Sequence, residues 1–542
     1  MTEPISCTRI TIDVMTNRMA VFPLDIPWEK CISTLMVVKS NFLSVNRNRI
    51  ELRKLWDTLP GVWVLVVLGL VFFVVSKVAV APNDFWWHLR AGQVIFQQRT
   101  IPTTDLFSFT QYGQPWIYQS WITEVFFYLL NQIGGIPLLL FLKAVIMTAA
   151  YTLLLCTAIV PANGNLRFAA YVTLLAAALG HTNADLRPQV ISYPLFAWTL
   201  WCITREERSV NHKGAIWSLP PLFVLWANSH GAFIFGLALL VSSTAGELLD
   251  WLRKRSPFPK RILTVSLLCA IAVFITPTGL GIVNYVLEFV RNPITSQLNE
   301  EFMPPTIRSL TGQLFFGSLG LIVALLMITR YIPRAAEALR LLVFAGLALS
   351  AVRCVIWFGF IAAPILAGAL AYWVRDNGKV KASKSGSRLV NRLLVTVMLL
   401  LCVASLPWFR PYIHMPGTSP GFLTPETPEK AVDYLCAISQ QRPLKVFHTE
   451  AVGSYLIWAC PAIPVFIDTR IELYPADQWQ DYISIREARY NWEELLAKYG
   501  MNALLLQTDL HHELVAAATA SPNWQQTYKD KLFVVFQKRD GI

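Results

Sequence analysis

Charge is what this sequence has least of. Only 15% of its 542 residues are Asp, Glu, Lys or Arg, where a soluble globular chain carries about a quarter. That deficit excludes an all-soluble protein, and its source is a series of long uncharged stretches. Residues 61–81 read GVWVLVVLGLVFFVVSKVAVA, with one lysine near the end. About 20 apolar residues in a helix cross the hydrocarbon core of a bilayer. The runs are continuous rather than alternating, so they predict helices and not barrel strands. Metal-binding cysteine patterns are also lacking. The nine cysteines form no CxxC and no Cys/His cluster, which argues against a structural zinc. Cys156, Cys202, Cys269, Cys354 and Cys402 lie in or beside apolar runs and read as packing residues. Cys436 and Cys460 could pair if their segment lies outside the cytoplasm, although spacing alone does not show it. No G-x-S-x-G, Walker or G-x-G-x-x-G loop follows a strand, so no nucleotide pocket is indicated. No apolar stretch directly follows a basic start, so the first ~50 residues do not read as a signal peptide.

The net charge of +12 would suggest nucleic acid in a soluble protein. Here the basic residues sit in short loops, where they orient helices, and no nucleic-acid partner is expected. Candidate spans are 61–81, 136–160, 167–180, 189–204, 215–229, 231–249, 262–276, 311–329, 339–352, 354–374 and 390–408. Arg47, Arg49, Arg53 and Lys54 precede the first and place the N-terminus in the cytoplasm. Alternation then puts Arg167, the Arg205–Lys213 loop, RKRSPFPKR (253–261), Arg330 with Arg334, and 375–388 inside, and all are basic. The expected architecture is a multispanning α-helical membrane protein of about 11 transmembrane helices with a C-terminal extracytoplasmic α/β domain. Its parts are a cytoplasmic segment (1–55), a membrane domain (56–410) with interfacial helices in the first outer loop (82–135), a Pro-rich linker (411–425), and the α/β domain (426–542). In the loop, Trp86 and Trp87 read as headgroup-level anchors. The domain's apolar runs predict strands at 444–448, 464–467, 502–507, 525–529 and 532–537 in a largely parallel sheet with an antiparallel edge.

Ionisable residues at membrane depth suggest function, and here they gather on the outer side. Asp84, His88, Arg90, Asp105 and Glu124 follow the first span. Asp185 and Arg187 lie in the loop with His181, Asn228 and His230 in a tight turn, and Arg353 between two spans. A transporter would place such groups near the midplane. Asp84 either caps a helix or acts as a base, with His88 one turn on along the same face. Arg90, Arg187 and Arg353 suit phosphate, because guanidinium meets phosphate oxygens in pairs. No metal ligand set is assigned, although His181 and His230 leave room for a divalent metal if they converge. Asp468, Arg470 and Glu472 follow the apolar PVFI and read first as a local ion pair.

Several stretches carry a family resemblance: Asp84-Phe-Trp-Trp-His-Leu-Arg, Ile101-Pro-Thr-Thr-Asp105, Pro115-Trp116 with Trp121 and Glu124, Arg187-Pro-Gln, Leu225-Trp-Ala-Asn-Ser-His230-Gly, and Val465-Phe-Ile-Asp-Thr-Arg470 with Glu472-Leu-Tyr. They run from Asp84 to Tyr474 and are spread through the chain beyond its first segment. The sequence resembles the GT-C-fold membrane glycosyltransferases that use polyprenyl-phosphate sugars, in a bacterial, mostly uncharacterised branch. The resemblance implies an enzyme of the bacterial plasma (inner) membrane. It would move a sugar from a lipid-linked donor to a glycan, lipid or protein acceptor outside the cytoplasm, with inversion. By position Asp84 is the general base, with His88 beside it. Arg90, Asp105, Glu124, Asp185, Arg187, Asn228, His230 and Arg353 are the candidate substrate-binding residues. The first loop lacks the adjacent Asp-Glu pair of some members, which leaves Asp105, Glu124 and Asp185 as competing bases. The alternatives are a non-catalytic transporter or glycan-binding scaffold, and a ligase that moves a whole lipid-linked glycan.

Overall fold

The structure is a computed structural model. It describes residues 8–12, 19–23, 56–208, 214–291, 300–376, 386–413 and 421–539. Arg47, Arg49, Arg53, Lys54 and Lys213, most of the basic loop after Arg375, and 414–420 of the linker lie outside those residues. Met1–Leu55 is a unit of its own. In it β1 (Thr8–Ile12) pairs antiparallel with β2 (Met19–Pro23), a hairpin that its weak sequence pattern did not predict.

The second unit, Trp56–Ile542, begins with the helix bundle. Helix α1 (Leu59–Lys77) starts at Thr58, whose hydroxyl accepts from the Gly61 N–H, with a proline in its first turn. Such a start satisfies an orphan donor and fixes φ where the helix begins. Its buried stripe of Val64, Val67, Val71 and Val75 recurs every three or four residues and packs in one core with Ala144, Met147, Tyr151 and Leu154. Helix α2 (Phe85–Gln98) follows, then α3 (Trp121–Ile159), which is broken at Gly135 (φ 63°) just before Pro137. A positive φ favours glycine, so this pair separates an outer segment from the apolar run behind it. The bundle continues through α4 (Leu166–Leu179), α5 (Ser192–Glu207), α6 (Leu219–Ala227), α7 (Phe233–Leu252), α8 (Lys260–Ala272), α9 (Gly281–Arg291), α10 (Leu310–Thr329), α11 (Ala335–Ser350), α12 (Val355–Asp376) and α13 (Arg388–Ala404). Among the described residues, five helices are long and apolar enough to cross a membrane: α1, α3, α7, α10, and α12 with the turn before it. α12 is buried almost throughout and forms the centre of the bundle. At the periphery, Leu267, Ile271, Leu321, Met327, Leu342, Leu393, Val397 and Leu400 point outward. An apolar exterior of this extent suits lipid and not water. The chain is a helical membrane protein with a C-terminal α/β domain.

That domain comprises α14 (Glu429–Ser439), β3 (Val446–Phe447), α15 (Glu450–Ala459), α16 (Ala476–Arg486), α17 (Trp492–Lys498), β4 (Ala503–Gln507), α18 (His512–Ala520), β5 (Trp524–Lys529) and β6 (Phe533–Lys538). The sheet order is β3-β4-β6-β5. Only β3 and β4 run parallel, and the other two pairings are antiparallel. The expectation of a largely parallel sheet is therefore corrected. The run 464–467 supplies no strand to the sheet. It pairs instead with the first outer loop: Val465 N–H donates to Phe107 O and Phe109 N–H to Val465 O, both at 3.0 Å. A disulfide joins Cys436 and Cys460, with Cα atoms 5.8 Å apart.

Trp86 and Trp87 are also corrected. Both are buried, in one apolar core with Phe107, Trp116, Val452, Leu456 and Val465. Trp86 meets Tyr455 edge to face at 5.0 Å. The α/β domain covers this part of the loop, so these indoles are unavailable to headgroups. The linker's end is pinned as well, since Val80 N–H donates to Phe422 O and Thr424 N–H to Val80 O, each at 2.9 Å.

Candidate functional site

Asp84 opens α2 but does not cap it, because its side chain makes no N-cap hydrogen bond. Asn83 Oδ1 accepts from the Phe85 N–H instead, at 3.2 Å. The Asp84 carboxylate is left facing Arg187, 3.8 Å away. Arg187 is held by the extended backbone that precedes Pro188. Its guanidinium also meets Asp185 at 3.6 Å and Glu301 at 2.9 Å. Burial alone would lower the Arg187 pKa, but the charges of Asp84, Glu301 and Asp185 outweigh it and hold the group above its ordinary value. Thr182, Asn183, Gln189, Val190 and Tyr193 complete the wall of this cleft with Asp185, Arg187 and Glu301. Arg353 stacks 4.3 Å from the Phe302 ring, next to Glu301.

A second cluster is buried. His88 Nδ1 bonds Glu124 Oε1 at 2.7 Å, and neither side chain is appreciably exposed. Burial drives the His88 pKa down, against the pull of Glu124. Asp105 is equally enclosed. Its carboxylate accepts from the Phe107 and Ser108 N–H groups and from the Ser108 hydroxyl, and meets Arg470 Nη1 at 2.7 Å. Arg470 also pairs with Asp468 at 2.6 Å. Its guanidinium sits between Trp87, Phe107 and Trp116, 5.2–5.6 Å from their ring centres. Tyr474 donates its hydroxyl to Asp468 at 2.6 Å. Two carboxylates, three rings and a phenol thus hold one buried cation, which joins the α/β domain to the first outer loop. The local ion pair read from sequence is real, and its third member lies in the other domain.

The cleft brings Asp84, Asp185 and Arg187 together and adds Glu301. Arg90 is turned elsewhere and bonds Gln93 at 2.6 Å. Asn228 is spent on structure: its Oδ1 accepts from Trp121 Nε1 and its amide donates to Val224 O and Ile275 O, each at 2.8 Å. His230 is half-buried. Its Nδ1 accepts from the Ala232 N–H at 3.0 Å, with Ser192 Oγ at 3.3 Å. His181 is exposed, bonded to Ala178 O. Among the described residues no group of three or more His, Cys, Asp or Glu side chains is arranged to hold a metal ion.

Sequence reasoning missed Glu301, although the adjacent acids Glu300-Glu301 in an outer loop were a visible cue. It also left Glu472 as an ion-pair member. Glu472 is half-buried, and burial, reinforced by the Asp84 charge, pushes its carboxyl up to about 7.

No protein-family model matches this chain, and no curated protein matches it by sequence. Solved structures do resemble it. The Archaeoglobus fulgidus oligosaccharyltransferase tethered to an acceptor peptide containing the NVT sequon aligns with a TM-score of 0.53 at 13% identity, over 87% of this chain and 73% of that one. The fold is GT-C. The apo form of the same transferase gives 0.51 at 13% identity, over 88% and 74% of the two chains. ArnT from Cupriavidus metallidurans bound to undecaprenyl phosphate gives 0.48 at 15% identity, over 88% and 98%. The GT-C likeness covers the bundle and the α/β domain together, and at these identities it concerns the fold alone.

Proposed function

We propose that this chain is a membrane glycosyltransferase that moves a sugar from a polyprenyl-phosphate donor to an acceptor hydroxyl outside the cytoplasm. The observation that carries the reading is the convergence of Asp84, Asp185, Arg187 and Glu301 in one cleft of a GT-C fold. Polar groups crowded at one end of an apolar bundle suit a reaction in which a lipid supplies the sugar and water-soluble chemistry receives it. In the proposed step the acceptor oxygen attacks the anomeric carbon on the face opposite the phosphate. The bond from that carbon to the phosphate oxygen breaks, and its electron pair leaves with the lipid phosphate. The hydroxyl proton passes to Asp84. Arg187, engaged by three carboxylates, orients the acids, and Arg353 serves the lipid phosphate. The chain would cross the membrane eleven times with its N-terminus inside and its α/β domain outside. The Cys436–Cys460 disulfide supports that side, since disulfides persist in oxidising compartments.

The test is Asp84→Asn in membranes supplied with a polyprenyl-phosphate sugar. Transfer should fall by at least 100-fold, on the order expected for loss of a general base, while the protein accumulates normally. Full activity would remove Asp84 as the base. A second reading, transfer of a whole lipid-linked glycan, draws on the likeness to a solved oligosaccharyltransferase. Product mass separates the two.

A further inference from the structure

The cleft is poor in positive charge and holds an amide with nothing to bond. Asp84, Asp185 and Glu301 surround Arg187, which is the one cation among the described residues that line the cleft. The surplus of carboxylates repels a phosphate. It suits a ligand that donates hydrogen bonds to them. Gln189 lies in the same wall. Pro188 opens the 3-10 turn Pro188–Ile191, and the Val190 N–H donates to Arg187 O at 3.0 Å. One turn, stiffened by its proline, thus carries both Arg187 and Gln189. Gln189 is 8% exposed, and its Nε2 is buried with no hydrogen-bond partner among the described residues. Arg187 Nε is in the same condition. A buried N–H without a partner is destabilising, and a folded protein keeps one where something else completes it. The cleft therefore lacks acceptors for two nitrogens and donors for its acids. A hydroxyl supplies both, because it donates once and accepts twice. A ring that bears several hydroxyls meets both needs together, whereas a phosphate offers acceptors alone.

We infer that Gln189 is a specificity-determining residue whose amide donates to one hydroxyl of the transferred sugar, while other hydroxyls of that sugar donate to Asp185 and Glu301. The inference rests on the proposed function and deepens it, by assigning the cleft to the sugar ring and not to the phosphate. In the displacement, the acceptor oxygen and the phosphate oxygen stand on opposite sides of the anomeric carbon. Asp84 serves the acceptor side and Arg353 the phosphate side. The ring between them lies against the wall that carries Gln189 and Asp185. Gln189 moves no proton and makes no bond to the reacting atoms. It selects the ring: a donor that lacks the matching hydroxyl leaves the buried amide unpaired, and that penalty is how a polar site rejects a near copy of its substrate.

The experiment is sugar transfer by the full-length chain in lipid nanodiscs, from polyprenyl-phosphate glucose, mannose and galactose and from their monodeoxy analogues. The unmutated protein should lose about 10-fold in kcat/KM at one deoxy position, the worth of a single hydrogen bond. Gln189→Met keeps the shape and removes the donor. It should lose about 10-fold with the parent sugar and then treat the parent and that deoxy donor alike, with its penalties at the other positions unchanged. It should melt no lower than the unmutated chain, because Nε2 has no partner to lose. A Met variant that still rejects the same deoxy donor overturns the inference, as does an unmutated chain indifferent to every deoxy position. A lower melting temperature with unaltered selectivity overturns it too, because the amide would then be structural. If Gln189→Met does not accumulate, Gln189→Glu decides by the same comparison. If the unmutated chain transfers none of these sugars, the proposed function falls, and binding decides the inference by itself. Each sugar-bearing lipid is then compared with polyprenyl phosphate alone. Binding about 10-fold tighter, with the gain lost in Gln189→Met, keeps the sugar site, and equal binding removes it.

Discussion

At Gly92 a single hydrogen keeps two helices in contact. A Cβ there would stand 2.0 Å from the backbone oxygen of Glu124, so any side chain forces α2 and α3 apart. The same crossing holds His88 against Glu124. Gly92→Ala is therefore expected to destabilise the protein by about 1–3 kcal/mol, the usual result of overpacking, and to reduce transfer although the residue touches no substrate. Thermal melting and the transfer assay together check this; an unchanged melt would show that the helices separate freely. This close approach was illegible in the sequence, because His88 and Glu124 are 36 residues apart and no local periodicity pairs them. Asp84, Asp185 and Arg187 were legible, because ionisable groups in an apolar chain stand out. Lys143, almost fully buried within the run 136–160, was missed, because its partner Val78 O is 65 residues away.

At the scale of elements, the end of α1 shows what that lysine does. The helix stops with carbonyls that lack intrahelical partners. Lys143 Nζ donates to Val78 O at 3.1 Å, and Arg410 donates to Ser76 O and, at 3.4 Å, to Val78 O. Two cations from distant segments thus terminate one helix, in the sense its dipole favours. Arg410→Ala should lower stability by about 1–3 kcal/mol, the range for leaving a buried acceptor unsatisfied, whereas Arg410→Lys should recover part of the loss. Melting in detergent measures both, and an Ala variant as stable as the unmutated chain would show that water or Lys143 suffices. The helices themselves were readable because apolar runs of this length have one solution in lipid. The sheet was read less well. The run 464–467 is short, apolar and flanked by breakers, as a central strand would be. Its partner, however, is the loop around Ser108, and strand pairing depends on contacts that alternation does not encode.

For the whole molecule, the shared core of Trp86, Phe107, Trp116, Leu456 and Val465 joins the α/β domain to the first outer loop. The general architecture followed from composition: charge returns to the sequence after residue 410, and apolar runs shorten to strand length. The joint did not, because Trp86 and Trp87 have the composition of a membrane belt whether lipid or protein covers them. Sidedness has a direct test. Tyr490 is almost fully exposed, so Tyr490→Cys should react with a membrane-impermeant maleimide in intact cells if the domain lies outside. Labelling only after the cells are broken would reverse the topology.

The hydrogen bond from the Thr110 hydroxyl to Phe466 O spans 356 residues of chain, and the bonds from the Val465 N–H to Phe107 O and from the Phe109 N–H to Val465 O are similarly long-range. During synthesis at ~5–20 residues per second, the first loop emerges roughly 20–70 s before its partner exists. Throughout that wait Asp105 has no Arg470, and the two indoles have no domain to cover them. A chain truncated between the first outer loop and residue 470 would keep this surface uncovered for as long as it persists.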